Sequence, residues 1–176
     1  LEKQNRNVLF IDIGTNGEIV LSQKGRLLCC SCAAGPALEG MNISCGMREA
    51  EGAIEDVKIT EHGVEFTCID GKEPVGICGS GILAVLKELI RTGLVRKNGA
   101  FVKKENIPEE DYRYPMIRMN GKKREFLICE APELVVTQGD IRQVQLAKGA
   151  ILSGFLALLN KAGISMEELD KVMIAG

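Results

Sequence analysis

Three short segments of the chain hold residues whose types and spacing suit phosphate chemistry. The first is Asp12-Ile13-Gly14-Thr15-Asn16-Gly17-Glu18, set between two apolar runs. A hairpin built from Gly14, Thr15, Asn16 and Gly17 turns several backbone N–H groups around one concavity, a shape that suits a phosphate. Asp12, at the end of the first run, could then hold a magnesium shell or orient an attacking water. An ordinary Asn-Gly turn whose aspartate caps its own backbone fits the same seven residues equally well. The second segment is Gly76-Ile77-Cys78-Gly79-Ser80-Gly81 ahead of a helix. Gly79, Ser80 and Gly81 could present the free N–H groups of a helix start to an anion. The lysine of a P-loop is absent, position 82 is Ile, and the glycine spacing departs from the dinucleotide fingerprint. Close helix–strand packing is the simpler explanation of these glycines. The third is Ala175-Gly176, where an apolar strand ends in small residues against which a flat group such as an adenine could lie.

Other candidates carry less. His62 is the single histidine and falls in a hairpin turn, so a histidine-based triad has no member to build on. Ser31 and Ser80 have no base close in sequence. Seven cysteines, an odd number, in a chain too long to need disulfide staples read as reduced thiols in an intracellular setting. Cys29, Cys30, Cys32 and Cys45 suggest a metal site, yet Cys29 and Cys30 point to opposite faces of a strand and no second C-x-x-C completes a ligand set. Buried small hydrophobes are the expected role for most of them, and no metal ligand is assigned.

The elements that must position these residues follow from the apolar pattern. Val8–Ile11 is a continuous apolar run of the kind found in a strand buried on both faces. Glu18–Leu21 and Arg26–Cys32, joined by Lys24-Gly25, complete an antiparallel meander. A glycine-rich excursion follows over residues 33–52. Val57–Thr60 and Val64–Ile69 form a hairpin, and Ile82–Thr92 has helical spacing with Gly93 as its stop. Residues 96–124 are polar, contain Pro108 and Pro115, and read as a surface excursion. Glu125–Cys129 is a short strand. Thr137 and Asp140 make an N-terminal box for a long helix running to about Ala162, ended by Gly163. A short helix starts at Ser165 and Glu168, and Lys171–Ala175 is expected as a buried strand. The order predicts an α/β class domain, a mixed sheet with packed helices.

Composition agrees with that architecture. The chain has 176 residues, 45% of them hydrophobic, which excludes a disordered chain. Its 22 basic and 24 acidic side chains leave a net charge of −2, without the basic face of a general nucleic-acid binder. The longest apolar stretch, Gly149–Leu159, reaches about half of the ~20 residues of a membrane span. A cytoplasmic protein without nucleic-acid or membrane partners is expected.

The combination of Asp12–Glu18, Ala33–Gly40 (A-A-G-P-A-L-E-G), Ser44–Arg48 (S-C-G-M-R), Gly76–Gly81 and Val172–Gly176 (V-M-I-A-G) resembles the C-terminal part of the reductive activators of corrinoid-dependent methyltransferases, methylamine-type activators included. These are iron–sulfur ATPases with an actin/sugar-kinase/Hsp70-type (ASKHA, ribonuclease H-like) fold. The resemblance runs from Val8 to Gly176. It implies that the chain is one lobe of that fold within a longer protein that uses ATP and Mg2+ to reduce a Co(II) corrinoid protein to Co(I). A low-potential electron donor would feed an iron–sulfur cluster in a domain absent from this chain. It further implies that Asp12–Gly17 is the second phosphate-binding hairpin and that Val172–Gly176 begins the adenosine-binding segment. The segment from Ala33 to Arg48 would lie near the nucleotide cleft or the corrinoid partner. Three departures stand out: no second D-x-G-T occurs, the adenosine motif stops after its first glycine, and Glu51 stands where a proline is expected. Another ASKHA phosphotransferase, a partner-docking module without turnover and a cysteine-ligated metal protein are the rival expectations. With half of the phosphate contacts on the missing lobe, this chain by itself is expected to bind ATP weakly or not at all. Isothermal calorimetry checks this, and tight stoichiometric binding would contradict it.

Overall fold

The computed structural model describes residues 6–176. In chain order the strands and helices of the first half are β1 (Asn7–Ile13), β2 (Gly17–Gln23), β3 (Arg26–Cys32), β4 (Ala53–Thr60), β5 (Gly63–Cys68), β6 (Gly76–Ile77) and α1 (Gly79–Arg91). Those of the second half are β7 (Ile117–Asn120), β8 (Lys123–Cys129), β9 (Leu134–Thr137), α2 (Gln138–Ala162) and β10 (Lys171–Ala175). The described residues divide into two compact units, one of residues 6–36 with 146–176 and one of residues 37–145.

The first unit is a four-stranded mixed sheet in the order β10-β1-β2-β3, with β10 parallel to β1 and the other pairs antiparallel. The meander forms as its apolar runs dictate, and Lys24 and Gly25 make the second turn with φ of 49° and 87°. Leu9, Ile11, Ile19, Leu21 and Leu28 are buried on the sheet face that carries Gly17, Cys30 and Cys32. The later turns of α2 cover that face closely: a Cβ on Gly154 would lie 2.8 Å from Ile19 Cδ1 and 3.4 Å from Cys30 Sγ. Gly163, at φ 68°, ends α2 as expected. The Gln23 amide then donates to the Ala162 carbonyl at 3.1 Å, satisfying a helix-end acceptor. The next segment carries the expected Ser165/Glu168 capping box, but on a single 3-10 turn, Met166–Glu168.

The expected burial of β10 is corrected. Val172, Met173 and Ile174 are 50%, 38% and 69% exposed. An apolar run predicts a strand, but burial also requires a covering layer. Among the described residues β10 has only β1 beside it.

The second unit holds two three-stranded sheets, β5-β4-β6 and β7-β8-β9, in place of the single sheet expected from the strand order. α1 lays Ile82, Val85 and Leu89 on a core that includes Ile54, Val57 and Ile59. Residues 96–124 are more than a surface excursion. Phe101, Ile107, Met116 and Ile117 are buried in the same core, and β7 is one of its strands. The polar sequence around these residues hides four anchors whose irregular spacing shows no period. Besides β7, two strands went unseen, β6 because it is two residues long and β9 because its four residues run straight into α2.

A buried carboxylate ties α1 to β4. Glu88 is 4% exposed, accepts the Ile59 N–H at 2.9 Å and pairs with Arg91 at 2.6 Å, while Arg91 donates to the Ile59 carbonyl at 2.7 Å. The Arg91 guanidinium bonds hold the Glu88 carboxyl below its ordinary pKa, against the opposing effect of burial. A depressed folded-state pKa means this contribution is present above the ordinary glutamate pKa and lost as pH falls through the lowered value. Glu88→Ala strands the Ile59 N–H and is expected to cost about 2 kcal/mol near neutral pH. Urea unfolding at several pH values measures it, and the difference from the parent chain should shrink in acid.

Candidate functional site

The candidate site of the first unit lies at one end of its sheet. Asp12 is opposite Ala175 on β10 and Glu18 on β2, and Glu18 is opposite Ser31 on β3. Residues opposite one another share a sheet face, so Ala175, Asp12, Glu18 and Ser31 form one row. It lies on the face away from α2, because Gly17, Ile19 and Cys30 take the other. Asp12, Glu18 and Ser31 are exposed. The Ser31 hydroxyl donates to Glu18 Oε1 at 3.4 Å, giving that serine a carboxylate neighbour which only strand register could reveal.

Beyond Asp12 the chain turns through Gly14, Thr15 and Asn16. The Gly14 N–H donates to the Asn16 carbonyl at 2.9 Å, and the Thr15 carbonyl accepts from Gly35 N–H at 2.9 Å. The turn is therefore braced from within and from residue 35, and the Gly14 amide is used in bracing it. Thr15 and Asn16 are exposed at the tip. Gly17 is confined, since a Cβ there would lie 2.7 Å from Cys32 Sγ and 3.1 Å from Ile151 Cγ1. Gly176 closes the opposite flank. Its φ of +112° favours glycine, and a Cβ would fall 2.0 Å from the Ile13 carbonyl oxygen. The structure thus brings together Asp12, Gly14, Thr15, Asn16, Gly17, Ala175 and Gly176. Their chemistry fits a magnesium-bound nucleotide: an exposed carboxylate, hydroxyl and amide side chains, and a flank of backbone with no side chain beyond Cβ.

Gly79, Ser80 and Gly81 lie in the second unit, at the first turn of α1. A Cβ on Gly79 would sit 1.8 Å from the Leu38 carbonyl oxygen, and one on Gly81 2.0 Å from that of Ile54. Close backbone packing therefore accounts for both glycines. Cys78 is 1% exposed, its thiol donating to the Ile54 carbonyl at 3.2 Å and lying 3.1 Å from the Ser80 hydroxyl, so it is packed. The same helix start meets the segment around residues 36–48. Met47 N–H donates to the Ile77 carbonyl and Ile77 N–H to the Cys45 carbonyl, at 2.9 and 2.8 Å. From the other side, buried Asp140 accepts from the Ser44 N–H at 2.9 Å, the Ser44 hydroxyl at 3.0 Å and the Thr137 N–H at 2.7 Å. Thr137 and Asp140 form the box expected at the start of α2, with Asp140 N–H donating back to Thr137 Oγ1 at 3.2 Å. The second role of Asp140, as the clamp on Ser44, had no local signal because its partner lies far away in sequence. His62 is exposed in its turn. Among the described residues, no three His, Cys, Asp or Glu side chains are grouped to hold a metal ion, and no helix is long and apolar enough to cross a membrane.

Comparison with known proteins places these features. The family model of the C-terminal, ASKHA domain of RACo matches residues 6–176. The chain belongs to the RACo C-terminal ASKHA-domain family. Its likeness extends to a solved structure, a reductive activator for corrinoid, iron–sulfur protein, with TM-score 0.86 and 38% identity over 100% of this chain and 28% of that one. The corrinoid activation enzyme RamQ of Eubacterium limosum is 36% identical over 100% of this chain. A [Co(II) methylated amine-specific corrinoid protein] reductase of Methanosarcina barkeri is 28% identical over 96% of it. This chain spans 31% of the length of each of these two relatives. The α/β architecture with its antiparallel meander is thus that of an ASKHA domain.

The two explanations of the α1 glycines separate experimentally. Gly79→Ala is expected to cost about 2 kcal/mol or more from overpacking against Leu38. Ser80→Ala, at an exposed position, should stay within about 0.5 kcal/mol. Denaturant unfolding of both variants measures this, and an unperturbed Gly79→Ala protein would contradict the packing account.

Proposed function

We propose that this chain is the nucleotide-binding lobe of an ATP-dependent reductive activator that converts a Co(II) corrinoid protein to Co(I) for methyl transfer. The observation that carries the reading is the row formed by Ala175, Asp12 and Glu18 at the braced turn, in a chain whose relatives are named as corrinoid activators and reductases. Hydrolysis of Mg-ATP would supply the free energy for an electron transfer that is uphill at the cobalt. Within this lobe the Asp12 carboxylate would hold the magnesium shell or orient the attacking water. The turn of Gly14, Thr15, Asn16 and Gly17 holds phosphate oxygens through its exposed polar groups. The Ala175–Gly176 end of β10, lacking any side chain beyond Cβ, leaves room for the nucleoside. In the second unit, Gly79, Ser80 and Gly81 offer an anion the first-turn amides of α1 and the Ser80 hydroxyl.

The remaining parts of the reaction belong to the longer protein. An iron–sulfur cluster held outside this chain would supply the one-electron chemistry, from a low-potential donor to the Co(II) corrinoid. The Ala33–Arg48 segment, in which Ser44 is held by Asp140 and Met47 by Ile77, would serve the nucleotide or the corrinoid partner. The protein is cytoplasmic in this reading.

The test uses the full-length protein, reduced, with a Co(II) corrinoid protein from the same source, followed by visible spectroscopy. Co(I) is expected only with Mg-ATP, and Asp12→Asn should slow its formation by roughly 100-fold or more. Co(I) formed equally well without ATP would overturn the role of this lobe. ATP hydrolysis without Co(I), in the presence of a verified partner, would favour another ASKHA phosphotransferase.

A further inference from the structure

The second unit holds two thiols, distant in sequence, that face one cleft. Cys68 is the last residue of β5 and Cys129 the last residue of β8, so they come from its two different sheets. Both are half-buried and line the same cleft of about 370 Å3, with Phe66, Lys72 and Pro74. Each stands where regular backbone gives out. Cys68 is followed by a turn in which Asp70 and Gly71 have φ of 59° and 61°, and the pairing of β8 with β9 shifts register between Leu127 and Cys129. The two thiols also feel one another. Burial raises the Cys68 pKa, the Glu73 carboxylate adds to that, and the Cys129 sulfur contributes further.

The other cysteines lack this arrangement. Cys78 is packed under the start of α1. Cys45 accepts the Val135 N–H at 3.4 Å, fixed beside β9. Cys30 and Cys32 lie two residues apart on one strand, about 6.6 Å between Cα atoms at ordinary strand rise. Their side chains run parallel at that spacing, too far apart for the ~3.8 Å between Cβ atoms of a disulfide.

We infer that Cys68 and Cys129 form a reversible disulfide that joins the two sheets of the second unit when the protein meets a disulfide oxidant. With oxidised glutathione, the Cys129 thiolate attacks one sulfur and releases the first glutathione thiolate. Cys68 then loses its proton to water and attacks the Cys129 sulfur of the mixed disulfide. The Cys68–Cys129 bond forms as the second glutathione leaves, so that two thiols are oxidised and one disulfide is reduced. Glutathione or dithiothreitol in excess runs the exchange backwards.

Peptide mass mapping of the folded, reduced chain tests this after incubation with oxidised glutathione, alkylation of the remaining thiols and non-reducing digestion. The expected product is a linked pair of peptides carrying Cys68 and Cys129, lighter by two hydrogens than their sum and lost on adding dithiothreitol. In Cys68→Ser, Cys129 should accumulate as its glutathione adduct, because the resolving sulfur is gone. Recovery of wild-type Cys68 and Cys129 as alkylated or singly glutathionylated peptides, without the linked pair, would overturn the inference. So would a linkage of either one to Cys45. The wild-type map decides the question even if a variant folds poorly.

Discussion

Side chains alternate along a strand, so a slip of one residue between β1 and β2 would carry Asp12 from the open face of the sheet to the face covered by α2. The register prevents this, and the candidate nucleotide site depends on it. Ile11 opposite Ile19 and Leu9 opposite Leu21 bury on one face, and that choice obliges Asp12 and Glu18 to share the other. The parallel pairing of β10 with β1 then sets Ala175 beside Asp12 and Gly176 against the Ile13 carbonyl. Hydrophobic burial on one side of a sheet thus specifies the chemistry on the other.

Close backbone approach is the second constraint, and it acts separately in each unit. Gly17 and Gly154 let α2 settle onto the meander, where Cys32, Ile19 and Ile151 leave no room for another carbon. Gly79 and Gly81 bring the start of α1 against the carbonyls of Leu38 and Ile54. The glycines that look like a phosphate loop in the second unit serve first as packing surfaces. Their resemblance to an anion site arises because tight turns, helix starts and phosphate cradles all call for residues without a side chain.

Much of this was legible in the sequence where local rules suffice. The apolar runs gave β1 to β3, the Thr137/Asp140 box gave the start of α2, and Gly163 gave its end. What the sequence hid was tertiary. Phe101, Ile107, Met116 and Ile117 lie at irregular intervals in a largely polar stretch, so residues 96–124 read as surface although those four side chains fill a core. β10 read as buried because its composition is apolar, whereas burial depends on what covers a strand. Asp140 was visible as a helix cap but not as the anchor of Ser44, 96 residues away. For the candidate site, the grouping of Asp12–Gly17 with Ala175–Gly176 rested on the family resemblance, and strand register supplies its physical cause.

The central claim is that a nucleotide sits on the Asp12–Gly17 turn and the end of β10. Hydrogen–deuterium exchange of the full-length protein, with and without saturating Mg-ATP analogue, tests it most directly. The account predicts slowed exchange in peptides covering residues 12–18 and 172–176. Saturable binding that leaves both segments unchanged while protecting others would contradict it.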